Sequence, residues 1–162
     1  MDTRIGLFSI LEKEAETESK LDGNIIFLDH LFTMEYQELI QRIMSDVDIC
    51  ACVDGAPKHR TKAIWDTGAL TSCISNKLAR KMGLQVVDIG VGVTATGQAE
   101  IQYYFVDVHI SDSMIIRNVK VAGFPLEKHD ADFLIGMDII KHGNFSICNS
   151  DGKTKITFEM NE

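Results

Sequence analysis

A mostly β domain, a barrel or sandwich with one or two short helices, is the fold class that the sequence predicts. Three observations point to it. After residue 46 the apolar residues recur at every second position, strand-length apolar segments follow one another closely, and glycine-bearing turns separate them. Only brief stretches keep a helical period, and no internal repeat is present.

Taken in chain order, residues 12–22 are polar and acidic and read as a solvated loop or helix turn. Asn24 to Leu28 is a short apolar run that suits a strand or a buried loop. Over 34–45, Tyr36, Leu39, Ile40, Ile43 and Met44 share one helical face, which predicts an amphipathic helix with Thr33 as its N-cap. Val47, Ile49, Ala51 and Val53 then alternate with polar or small residues. Asp54-Gly55 signals a turn, and Lys62 to Trp65 returns from it, a hairpin pattern. Ser75 to Met82 predicts a short helix with Ser75 as N-cap and Gly83 just past its end. Strands follow at Val86–Val87, Val91–Thr94, Ala99–Ile110, Ile115–Ala122 and Phe133–Ile135. A helical turn at 138–142 comes next, and a final hairpin is folded about Ser150-Asp151-Gly152.

The chain has 162 residues, enough for one domain with an appendage and for a core that needs no disulfides. Its formal net charge is −8. Residues 1–46 hold ten acidic and four basic residues, whereas residues 47–162 are nearly balanced. This step places a boundary near residue 46, between an acidic N-terminal extension (1–46) with its one helix and the β-rich domain (47–162). The acidic balance disfavours nucleic acid or an anionic membrane as the main partner. No apolar run is long enough to span a bilayer, and the N-terminus lacks a basic region and a small-residue cleavage site. The expected location is therefore cytoplasmic, with Cys50, Cys52, Cys73 and Cys148 as free thiols. A zinc site from Cys50, Cys52 and His59 is weighed and set aside in favour of thiols packed in strands, so no metal is expected.

Chemistry concentrates in Asp66-Thr67-Gly68-Ala69, which ends the apolar strand at Ile64-Trp65 and opens a loop. Phe133-Leu134-Ile135-Gly136 forms a second element. The hairpin between them, with Thr94-Ala95-Thr96-Gly97-Gln98 at its tip, forms a third. In this order and spacing the sequence resembles the retropepsin-like aspartic proteases, single-domain peptidases of retroviruses and retroelements with cellular and bacterial relatives. The resemblance covers about residues 47–159 and leaves the extension without a counterpart.

The resemblance implies a closed acid-protease β-barrel, a polypeptide substrate and no cofactor. Such enzymes place two aspartates face to face. Two like charges about 3 Å apart cannot both ionise, so the pair shares one proton and activates a water. Only one Asp-Thr-Gly is present, and Asp132 and Asp138 lack that context; Asp138 is expected to cap the helical turn and Asp132 to be a turn or surface carboxylate. One chain thus supplies half a site, and a homodimer with one Asp66 from each protomer is expected.

Thr67 is expected to lock the two loops across the dimer axis. Gly68 lets its backbone approach the carboxylate with no Cβ in the way. Ala69, Ala95, Thr96, Gly97 and Ile135 are the expected substrate-binding residues, with Ile64, Ile89 and Val91 as further wall positions. Many retroviral members carry an Asp after the Ala and an Arg after the second glycine. Here Leu70 and Met137 stand there, which suggests apolar packing in place of an ion pair and a cellular, bacterial-type member.

Two other readings accompany the protease reading. One is a retropepsin-fold dimerisation or peptide-binding module without turnover. In the other, residues 1–46 act as a pro-segment or lid; a purely structural extension is preferred for them.

Overall fold

The computed structural model describes residues 19–21, 25–27, 30–94 and 97–161. Twelve strands and two short helices follow one another as β1 (Ser19–Leu21), β2 (Ile25–Phe27), β3 (Leu31–Tyr36), β4 (Met44–Ala51), β5 (His59–Trp65), β6 (Cys73–Ser75), α1 (Asn76–Lys81), β7 (Asp88–Thr94), β8 (Gly97–His109), β9 (Met114–Phe124), β10 (Phe133–Ile135), α2 (Met137–Ile140), β11 (Gly143–Ser150) and β12 (Lys153–Met160). The larger sheet runs β1-β2-β9-β6-β10-β5-β4-β8-β7. Because β8 pairs with β9 as well as β4, its central strands close into a barrel. Closure removes most free edges, and β7 extends beyond β8 as the outer arm of a hairpin. Antiparallel β11-β12-β3 forms a second, three-stranded sheet.

The core lies inside the barrel and between it and the smaller sheet. Ile49, Val106, Val108, Phe133 and Ile135 fill the barrel, each fully or nearly fully buried. Trp65 stacks on Phe32 and Phe145 at centroid distances of 5.9 and 5.1 Å and meets Phe158 edge-on at 5.3 Å. Its indole N–H donates to Ser45 Oγ at 2.9 Å, which satisfies the one polar atom of this cluster.

Most local signals act as expected. Ser75 caps α1, its Oγ accepting from the Leu78 N–H at 2.9 Å. Gly83 takes φ +65° after the last turn, a left-handed conformation that favours glycine. Asp151 and Gly152 take φ +51° and +74°, the two-residue turn that matches the twist of β11 and β12.

One expected element does not form. Residues 34–45 are not a helix: β3 occupies Leu31–Tyr36, irregular bends follow, and β4 begins at Met44. Phe32 and Met34 alternate into the core and pair with Phe158 and Ile156 of β12, so a period of two overrides the helical spacing. Leu39, on the expected helical face, is 61% exposed. The Tyr36 hydroxyl closes the bend by bonding to the Met44 carbonyl and accepting from its N–H. The charge step at residue 46 falls inside β4, where Asp46 pairs with Arg60 and Lys62 of β5. Of the acidic stretch over 12–22, expected as a loop or helix turn, Ser19–Leu21 instead form strand β1 paired with β2, and the rest lies outside the described residues. Val86 and Val87 precede β7 without joining it.

Candidate active site

Strand β5 delivers Asp66, and β10 fixes where it stops. The two run parallel, with Leu134 opposite Ile64 and Ile135 opposite Trp65. The Asp66 N–H then donates to the Ile135 carbonyl at 2.9 Å, so the second motif anchors the backbone of the first. Asp66 Oδ1 accepts from the Gly68 N–H at 2.8 Å, which orients the carboxylate. A Cβ on Gly68 would stand 3.1 Å from that oxygen, so close approach is what this glycine provides. Thr67 and Gly68 are exposed at the surface beside the half-buried Asp66.

The loop after Ala69 is held from below. Met137 N–H donates to the Ala69 carbonyl at 2.8 Å and Asp138 N–H to the Leu70 carbonyl at 3.2 Å. Gly136 lies against this loop: a Cβ there would be 2.9 to 3.0 Å from backbone atoms of Ala69 and Thr71. Asp138 does not cap α2, whose N-cap is Gly136. Its carboxylate instead accepts from Ser72, from the N–H at 2.9 Å and the hydroxyl at 2.7 Å. Ser72 Oγ in turn accepts from the Gly136 N–H at 3.0 Å. Asp138, Ser72 and Gly136 therefore clamp the two motifs together. Asp132 is more than a turn carboxylate, since it accepts from Ser75 Oγ at 2.7 Å and fixes the start of α1.

A cleft of about 580 Å³ opens beside Asp66, walled by Ile64, Ala69, Phe124, Leu126 and Leu134. Ile64 and Ala69 thus take the wall positions expected of them. Ile135 does not: it is fully buried in the core. Strand alternation explains the correction, because Phe133 and Ile135 point inward and leave Leu134 facing the cleft. Cys73 lines the same cleft, and burial, then the Asp138 and Asp66 charges, push its thiol up to about 11.

The hairpin between the motifs is β7–β8, paired from Asp88 with Tyr103 to Thr94 with Gly97. Gly97 takes φ +124°, a turn conformation suited to glycine. Ala95 and Thr96 lie outside the described residues. Ile89 and Val91 are exposed along β7, away from the walls of the cleft. Lys120 Nζ bonds Asp88 at 2.5 Å and lies 4.9 Å from the Tyr103 ring centre, tying the base of the hairpin to β9. That bond holds the Asp88 carboxyl below its usual value.

Leu70 and Met137 part company. Met137 packs on the core, but Leu70 is 85% exposed, so the two do not replace an ion pair by packing within one protomer. The four cysteines are free. Cys50 Sγ lies 3.4 Å from His109 Nε2 and Cys52 Sγ 3.3 Å from Asp107 Oδ1, away from the cleft. No group of three or more His, Cys, Asp or Glu among the described residues is arranged to hold a metal ion. No helix among them is long and apolar enough to cross a membrane.

Comparison with known proteins follows the same lines. The family model described as "gag-polyprotein putative aspartyl protease" matches residues 52–142, more than half of the chain. The chain is similar in fold to a retropepsin-like aspartic protease from Rickettsia conorii, with a TM-score of 0.51 and 16% identity over 76% of this chain and 97% of that one. Further matches are the retroviral protease-like domain of Ddi1 from Leishmania major (TM-score 0.42, 18% identity, 74% of this chain and 94% of that one) and the simian foamy virus protease (TM-score 0.40, 15% identity, 60% and 92%). No curated protein matches the sequence.

Proposed function

The chain belongs to the gag-polyprotein aspartyl protease family, and from that premise we propose that it is an aspartic endopeptidase whose active site is completed by a second copy of itself. The pose of Asp66 carries this reading. Its carboxylate is oriented by the Gly68 N–H, lies at the edge of an apolar cleft, and stands beside an exposed Thr67. No second carboxylate lines that cleft among the described residues. The exposed Leu70 next to the motif supports a partner surface at the same place, since burial of a leucine against a second copy is favourable by about 1.5–3 kcal/mol.

In the homodimer the two Asp66 carboxyls share one proton. The ionised one removes a proton from a water, whose oxygen attacks the carbonyl carbon of the scissile bond. The protonated one hydrogen-bonds the carbonyl oxygen and gives up its proton as the tetrahedral intermediate forms. Proton transfer to the amide nitrogen then breaks the C–N bond and releases both products. No acyl-enzyme forms, and neither a metal nor a cofactor takes part. The Gly68 N–H keeps the carboxylate in place throughout. Thr67 is assigned to the contact between the two loops, Ala69 to the passage of the substrate main chain, and the β7–β8 hairpin with Gly97 to the lid.

A cleavage assay on purified full chain tests the reading. Unfolded proteins and peptide mixtures between about pH 3 and 7 should be cut. Asp66→Asn should lower the rate by about 10²–10⁴-fold while sedimentation still shows a dimer. A folded dimer that cuts nothing across this range, or cuts equally well as Asp66→Asn, would contradict it and favour a peptide-binding module.

A further inference from the structure

The cleft beside Asp66 has one feature that peptide-bond hydrolysis does not require. Its lining is mostly apolar; beside Asp66, Cys73 and His129, the polar groups are Gln41 and Arg42, which the bend between β3 and β4 brings to it. Arg42 is exposed, and one of its guanidinium nitrogens, Nη1, donates to the His129 carbonyl at 2.8 Å. That bond ties the bend to the 3-10 turn Glu127–His129, whose His129 lines the same cleft, and fixes where the charge sits.

Arg60, Lys62, Lys120 and Lys153 have carboxylates within 4 Å among the described residues, whereas other cations, Arg117 and Lys141 among them, do not. Arg42 has none within 4 Å among the described side chains. Asp66 is the one carboxylate on the cleft wall among the described residues, and in the endopeptidase reading it is needed for the reaction. A guanidinium presents five N–H donors in a planar fork, and one is spent on His129. What remains is an oriented fork with no carboxylate partner among the described side chains, at the rim of a mostly apolar groove, on a chain whose net charge is −8.

Resting on the endopeptidase reading, we propose that Arg42 is a specificity-determining residue: it receives the carboxylate of an Asp or Glu side chain in the polypeptide substrate, near the apolar residue that fills the space between Ile64, Phe124 and Leu134. The two-fold axis of the homodimer duplicates the arrangement. Substrates are then apolar at the scissile bond and acidic on both flanks. Arg42 also selects against basic segments, which would place like charges together.

The test uses full-length chain and a peptide library made by digesting a proteome at lysine, with cut sites read by mass spectrometry. Wild type should enrich Asp and Glu at fixed positions flanking the cut. Arg42→Glu should exchange that enrichment for Arg, and Arg42→Met should abolish both. For a matched pair of synthetic peptides, acidic and neutral at that position, wild type should prefer the acidic one by about tenfold in kcat/KM. The preference should reside mainly in KM and shrink as salt is raised.

Cleavage without acidic enrichment, or an enrichment that Arg42→Glu leaves in place, overturns the proposal and leaves the endopeptidase reading standing. Loss of the dimer in Arg42→Glu, seen by sedimentation alongside equal loss on acidic and neutral peptides, also overturns it and makes Arg42 an interface residue. Absence of cleavage by wild type removes both readings together.

Discussion

Asp138 is the most informative residue to perturb outside the motif, because its role follows from geometry alone. Replacing it with alanine removes the acceptor of two hydrogen bonds from Ser72, at 2.9 and 2.7 Å. Ser72 is fully buried, so water cannot take over. An unpaired buried N–H costs about 1–3 kcal/mol, and the lost charge-assisted bond adds to it, so Asp138→Ala should destabilise the fold by about 2–4 kcal/mol. For a chain of this size that is a fall of about 5–15 °C in Tm, read by circular dichroism at one fixed protein concentration so that dimer dissociation does not confuse the comparison. Asp138→Asn keeps an acceptor for the Ser72 N–H and should cost about 1 kcal/mol. The double variant with Ser72→Ala should be less harmful than the sum of the singles by at least about 0.5 kcal/mol. An alanine variant within about 0.5 kcal/mol of wild type, or an asparagine variant as damaged as alanine, would refute the clamp.

Two further outcomes follow from the same site and its surroundings. Gly136→Ala should destabilise by about 1–3 kcal/mol in the same thermal assay, because its Cβ meets backbone atoms of Ala69 and Thr71 that no side-chain rotation can move, whereas Gly68→Ala should mainly lower kcat by displacing Asp66 Oδ1. Burial and Asp107 push the Cys52 thiol up to about 12, and Cys73 stands at about 11, so at pH 8 a maleimide should label exposed Cys148 well before either. Because both folded values lie above the unfolded thiol's, the native chain keeps protons that the unfolded chain loses, and stability should decline as pH rises beyond about 9.

How much of this was legible in the sequence varies with the range of the interactions. The β4–β5 hairpin, the Ser75 cap, Gly83 and the Asp151-Gly152 turn rest on neighbouring residues, and reading them needed only a short window. Asp66 and Gly68 were legible because the reason for the glycine is local: its backbone meets the carboxylate two residues away. The failure at 34–45 shows the opposite case. Tyr36, Leu39, Ile40, Ile43 and Met44 carry a helical period, but Phe32 and Met34 find their partners on β12, more than a hundred residues on. That pairing was visible as an alternation in Phe32-Thr33-Met34-Glu35-Tyr36 and outweighs the local signal.

The exchange of Ile135 for Leu134 could have been read from strand alternation, since Phe133 and Ile135 must share a face. The Asp138–Ser72 clamp could not, because the two residues are 66 positions apart and neither carries a signature. Arg42 was hidden for the same reason: only the folded bend brings it beside His129.

The central claim is that each chain provides half of one catalytic dyad, and mixing tests it most directly. Wild-type chain and Asp66→Asn chain are unfolded together at varied ratios, refolded at constant total concentration, and assayed on one peptide substrate. If both protomers must supply Asp66, activity should follow the square of the wild-type fraction, reaching about one quarter at equal mixing. Activity proportional to the wild-type fraction, about one half at equal mixing, would show that one chain suffices and would contradict the account.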